Sequence, residues 1–310
     1  MPVAPQIAAL LPGISALPQM HQRPLEQLRQ PRERIGGGDE QPVGAVEDRW
    51  IDSAGRRLRV RLYSPPSRQV GPQVGLPLLV LFHGGGFVFG SIEGNYDHVS
   101  RVLCERAHCL VVSVEYRLAP EDKFPAATDD AYAALQWAAL NAAQLGADAD
   151  KLFVVGGSAG GNLAAVTALR ARDQRGPRLR GQVLYYPVTD FPEPPTASSR
   201  EFATGYYLTQ ADMRWFWAQY LHDPAQAANP YAAPLRAPSL RGLPPALVIT
   251  AEYDPLRDEG EHYAQRLREG GVDVTLSRYE GMVHGFLAFP TPQAANALHQ
   301  AADWIRALSN

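Results

Sequence analysis

A serine between glycines, an aspartate and a histidine in separate loops, and a run of three glycines are the features of this chain able to do chemistry. Ser158 stands in Gly156-Gly157-Ser158-Ala159-Gly160. There the apolar run 152–156 leads directly into a helical pattern over 159–172. A strand–turn–helix setting of this kind is what a nucleophile elbow requires. The turn is too tight for side chains on both flanks, and it holds the serine in strained backbone. The serine also sits at a helix N-terminus, where the dipole favours developing negative charge. His83-Gly84-Gly85-Gly86 follows the apolar run 76–82. Three glycines let a backbone aim its N–H groups at one point. The N–H groups of Gly85 and Gly86, completed by that of Ala159, are the candidate donors to a tetrahedral oxyanion. His83 reads as a loop-shaping residue and not as a base. Asp254 lies just past the run 246–253, and His284 just past a strand pattern ending at residue 280. A neutral His284 would take the serine proton, and an ionised Asp254 would fix its tautomer and stabilise the imidazolium. Glu252, Asp258 and Glu259 are rival acids close by. Serine, acid and base in this chain order point to acyl transfer through a covalent acyl-enzyme.

Positioning these groups takes a sheet. Residues 46–52 and 58–64 alternate as strands around a short turn, which predicts an antiparallel edge. The runs 76–82, 110–114, 152–156, 183–186 and 246–251 are short and rich in Val and Leu, as expected of strands buried on both faces. Residues 273–279 offer one more strand. Helical patterns separate them at 98–107, 126–144, 159–172 and 258–269, with a last one at 293–308. The alternation predicts a doubly wound α/β sheet, with Ser158, Asp254 and His284 at one end of it. One insertion, about 190–232, breaks the alternation with an aromatic helical stretch over 209–222. Residues 1–40 read as amphipathic helices ending at a Gly36-Gly37-Gly38 joint, and both pieces read as parts of a lid.

The 310 residues are 45% hydrophobic and 20% charged, with a net charge of −3. Nothing in that balance favours nucleic acid or an anionic membrane as a partner. The arginines at 170, 172, 175, 178 and 180 read as a solvated helix end and loop. Cys104 and Cys109 are the two cysteines, too few for a disulfide framework or a zinc site. The first seventeen residues are apolar but carry no basic side chain, and no run reaches the ~20 apolar residues of a membrane span. These features lead to the expectation of a cytoplasmic protein with no metal.

Seven blocks carry a resemblance: HGGGFVFGS (83–91), YRLAPE (116–121), FPAATDDAYAAL (124–135), GGSAGGNLA (156–164), GYYLT (205–209), DPLRDEG (254–260) and GMVHGF (281–286). In this order they resemble the hormone-sensitive-lipase-like bacterial carboxylesterases of the α/β-hydrolase superfamily. The resemblance implies a mostly parallel eight-stranded sheet flanked by helices, with a helical cap. The N-terminal cap would span 1–44 and the catalytic domain 45–310. It implies hydrolysis of short- to medium-chain acyl esters without a cofactor, and often a homodimer. An amidase or deacetylase on the same scaffold is the alternative, while His284 argues against a non-catalytic receptor. Tyr206, Trp215 and Phe286 are the side chains expected to face substrate. The family commonly has Asp before the serine; Gly157 stands here, which implies a lost anchor at the elbow.

Overall fold

Alternate residues of the central strands feed two different cores. The computed structural model describes residues 2–30, 41–53, 55–66 and 75–310, so the Gly36–Gly38 joint lies outside the described residues. The strands are β1 (Ala45–Ser53), β2 (Arg56–Ser64), β3 (Leu76–Phe82), β4 (Leu110–Val114), β5 (Ala147–Gly157), β6 (Gly181–Tyr185), β7 (Ala246–Tyr253) and β8 (Val274–Val283). They form one sheet in the order β1-β2-β4-β3-β5-β6-β7-β8. Both ladders of β2 are antiparallel, and the remaining ladders are parallel.

The helices are α1 (Pro5–Ser15), α2 (Leu25–Leu28), α3 (Asn95–Ala107), α4 (Ala126–Leu145), α5 (Ala159–Asp173), α6 (Ala197–Glu201), α7 (Gln210–Tyr220), α8 (Arg257–Glu269) and α9 (Pro292–Ser309). Leu78, Val80, Phe82, Val112, Val154 and Val248 point to one core with α4, α5, α7 and α8. Leu79, Leu81, Val111, Phe153, Val155 and Leu247 point to the other with α1, α3 and α9. The period of two thus makes the sheet a partition between two helix layers. Burying a leucine or valine side chain fully stabilises by about 1.5–3 kcal/mol, so these strands fix the sheet's position firmly.

The chain leaves β3 toward β4 on one side, while β5 pairs with β3 on the other. The ends of β3 and β5 therefore flank a point where strand order reverses, the place where open α/β sheets form ligand crevices. The insertion lies over this end. Its helix α7 is held at both ends. Thr209 and Asp212 form a reciprocal cap at its start. At its finish Lys123 Nζ donates to the carbonyls of Ala218, Gln219 and Leu221 at 2.7–2.9 Å, where a cation also suits the helix dipole.

Of the five arginines read from sequence as solvated, Arg175 and Arg178 are exposed, while three have specific partners. Arg170 reaches the Thr128 carbonyl and Asp129, Arg172 the carbonyls of Ser239 and Arg241, and Arg180 that of Leu308. They fasten helix ends to loops that are remote in sequence. Among the described residues no helix is long and apolar enough to cross a membrane.

Candidate active site

Ser158 has φ +57° and ψ −121°, a conformation that L residues rarely adopt and that stores strain. Close packing imposes it. A Cβ on Gly156 would meet the Gly160 carbonyl oxygen at 2.1 Å, and one on Gly160 would meet that of Phe82 at the same distance. Both glycines are required because the start of α5 lies against the ends of β3 and β5. The Ser158 carbonyl accepts from the N–H groups of Asn162 and Val188, and its own N–H donates to Tyr185. Asn162 Nδ2 in turn donates to Val188 and Ala232.

His284 Nε2 lies 2.9 Å from Ser158 Oγ, and His284 Nδ1 lies 2.8 Å from Asp254 Oδ2. The Leu256 N–H donates to Asp254 Oδ1 at 2.8 Å, so both carboxylate oxygens are engaged. Asp254 is fully buried and His284 nearly so. The three residues picked out in sequence are therefore contiguous. Among the rival acids, Glu252 accepts from the Gly281 N–H, Asp258 caps Ser198, and Glu259 accepts from Thr189 and Asp190.

Gly85 and Gly86 have φ +124° and +60°, which glycine alone adopts freely. Among the described residues, the N–H groups of Gly85, Gly86 and Ala159 find no acceptor within the protein. His83 is buried beneath them, stacked on Tyr116 at 4.2 Å, and donates Nδ1–H to the Gly84 carbonyl. Burial pushes its pKa down to about 4, so it is a neutral strut.

A cavity of about 300 Å³ opens over Ser158 and His284. The expected substrate-facing residues are not on its wall. Helix α7 turns Phe216 toward the cavity and Trp215 away from it. Tyr206 stacks on Tyr253 at 5.2 Å, while Tyr207, at φ +75°, takes the wall position. Phe286 follows Gly285 at φ +70° and is driven into the core against Tyr186 and Tyr279. The wall residues that sequence reading missed are Tyr96, Tyr186 and Tyr207, together with Met20, Leu28 and Arg29 of the N-terminal segment. Tyr186 packs its ring edge on His284 at 4.9 Å. The amphipathic pattern of the first thirty residues was the available signal for that segment, though not for which side chains it brings in.

At Gly157, where the sequence implies a lost anchor, a Cβ would meet the Tyr96 hydroxyl at 2.8 Å.

Known proteins resemble this chain in both sequence and fold. The family described as alpha/beta hydrolase fold matches residues 79–288. An arylesterase of Saccharolobus solfataricus is 43% identical over 250 residues, covering 80% of this chain and 79% of that protein. An ethyl acetate hydrolase of Pseudomonas putida is 37% identical over 301 residues, covering 93% and 92%. The solved structure of a hyperthermophilic esterase from Pyrobaculum calidifontis superposes with a TM-score of 0.92 at 43% identity, covering 100% of this chain and 99% of that one. With a matched family spanning most of its length and esterase relatives over four fifths of it, the chain belongs to the α/β-hydrolase family, in its hormone-sensitive-lipase-like esterase branch.

Proposed function

We propose that this protein is a carboxylesterase that hydrolyses short- to medium-chain acyl esters, with Ser158 as nucleophile, His284 as general base and acid, and Asp254 as its orienting carboxylate. The observation that carries the reading is the relay Ser158 Oγ–His284 Nε2–Asp254, at 2.9 and 2.8 Å, on a serine held at positive φ. Ser158 Oγ attacks the ester carbonyl carbon while its proton passes to His284 Nε2. The resulting oxyanion accepts from the free N–H groups of Gly85, Gly86 and Ala159. Collapse breaks the ester C–O bond, and His284 returns the proton to the departing alcohol. Water then repeats the sequence on the acyl-enzyme and releases the acid. The esterase names of the relatives support ester bonds as the target. A cavity of about 300 Å³ is at the small end for ligand sites and favours short acyl groups.

The test is a panel of 4-nitrophenyl esters from acetyl to dodecanoyl, with parallel anilides, given to wild type and Ser158→Ala. A serine-directed phosphonate should also add once per chain, at Ser158. Turnover that survives Ser158→Ala, or labelling elsewhere, would overturn the assignment. Faster anilide than ester hydrolysis would make the protein an amidase.

A further inference from the structure

The parallel ladder between β3 and β5 ends at the pair Phe82–Gly156. The candidate oxyanion donors lie beyond it, on two separate backbones: Gly85 and Gly86 after β3, and Ala159 after β5. Something past the ladder must hold those backbones together. Tyr96, in the first turn of α3, reaches into that seam. Its hydroxyl donates to the Gly157 carbonyl at 3.4 Å, and its phenolic oxygen lies against Gly84. The seam is tight: a Cβ on Gly84 would meet the Tyr96 oxygen at 2.7 Å and the Gly157 carbonyl oxygen at 2.9 Å. Gly157 is not at positive φ, so a side chain there would be resisted by the Tyr96 hydroxyl and not by the backbone conformation. The start of α3 is itself fixed. Asp97 accepts from Tyr63 Oη at 2.7 Å and from Arg101 Nε at 2.6 Å, and Ser100 Oγ donates to the Tyr96 carbonyl at 2.7 Å.

We propose that Tyr96 is a positioning residue whose hydroxyl clamps Gly84 to Gly157 and thereby sets the separation of the two halves of the oxyanion hole. This rests on the reading that Ser158 attacks an ester and that Gly85, Gly86 and Ala159 receive the oxyanion. Donors from both segments must converge on one oxygen, and misplacement by about 1 Å can cost ~10²-fold in rate. The oxyanion exists only after attack, so loosening the seam lowers kcat and leaves substrate binding largely unchanged. A carboxylate at position 157 would occupy the space of the hydroxyl beside Gly84. The two devices therefore exclude each other, and one can replace the other.

The experiment compares full-length wild type, Tyr96→Phe, Gly157→Asp and the double variant with 4-nitrophenyl acetate. Phosphonate labelling of wild-type Ser158 serves as control. Tyr96→Phe should lower kcat about ten-fold, less than the ~10²–10³ lost with an oxyanion donor itself. Its KM should stay within about two-fold, and its melting temperature near that of wild type. Gly157→Asp alone should be worse, because its carboxylate collides with the hydroxyl. The double variant should recover kcat above that of Gly157→Asp alone. A wild-type kcat for Tyr96→Phe, or losses that simply multiply in the double variant, would overturn the proposal while labelled Ser158 leaves the esterase reading standing. Failure of Ser158 to label in wild type would overturn that reading and this proposal with it.

Discussion

His21 and Asp212, 191 residues apart in sequence, meet through two hydrogen bonds to one carboxylate oxygen: the His21 N–H at 2.9 Å and Nδ1 at 2.8 Å. Asp212 also closes the cap of α7, so the start of the cap helix and the N-terminal segment share one buried carboxyl group. His21→Ala keeps the backbone bond and loses the side-chain bond, worth about 1.5–3 kcal/mol for a charged acceptor. The melting temperature should drop by a few degrees, and KM should rise more than kcat falls. Unchanged KM across the acyl series would mean that the tether does not hold the cavity wall.

Removing residues 2–30 takes Met20, Leu28, Arg29 and Gln30 out of that wall. The serine, acid, histidine and glycine loop all remain. The shortened protein should unfold cooperatively, as followed by circular dichroism, but lose activity or shift its optimum to longer acyl chains. Wild-type kinetics at every chain length would show that the segment is no lid.

Asp254→Asn retains an oxygen for the Leu256 N–H but presents an amide to His284 Nδ1. The imidazole then turns to the wrong tautomer, an effect of about 10⁴-fold on kcat in enzymes built this way. The variant should bind substrate and melt close to wild type. A loss below about ten-fold would point to one of the neighbouring acids as the true partner.

Burial pushes the Glu259 carboxyl up to about 8, although the Thr189 and Asp190 N–H groups favour its charged form. An unfolded glutamate titrates near 4.3. Between those values the native state holds a proton that the unfolded state has released. Stability therefore falls as pH rises through this window, and the penalty is complete above about pH 8. Glu259→Gln keeps an acceptor oxygen and removes the titration. Its melting temperature relative to wild type should improve from pH 5 to pH 9. A pH-independent difference would show that Glu259 is already ionised at pH 5.

The central strands were legible as short apolar runs, such as LPLLVLF in β3, and the antiparallel edge by its alternation. β4 lies over Leu110–Val114, where the LVVSV run placed it. β5 begins earlier than its apolar run, at Ala147. Asp148 and Asp150 lie ahead of that run, yet Ala147 pairs with Leu76 before a register shift carries the ladder to Leu152. Ser158, Asp254 and His284 were legible because each sits within two residues of a strand end, so local pattern fixed their depth. The cavity wall was not. Phe216 and Trp215 are neighbours of similar chemistry, and only the rotation of α7 against Gly86 decides between them: a Cβ on Gly86 would meet the Phe216 ring at 2.4 Å. Tyr96 carries no local sign of its role, because its partners Gly84 and Gly157 come from other turns of the chain.

The N-terminal segment touches Gly281 through the Ala4 N–H, Asp212 through His21, and the Val88 and Ala119 carbonyls through Arg29. Synthesis delivers this segment well before partners such as Asp212 and Gly281. While the ribosome is still making the middle of the chain, Ala4 and His21 have nothing to bind, and the apolar face around Ile7 has no core to enter. Contacts of such long sequence separation form late and slowly, and an uncovered apolar segment in the meantime invites misassociation. A nascent chain of this protein would therefore be inert toward esters until residue 284 has cleared the exit tunnel. The wall that Met20, Leu28 and Arg29 complete would close only when this earlier-made segment docks on partners made after it.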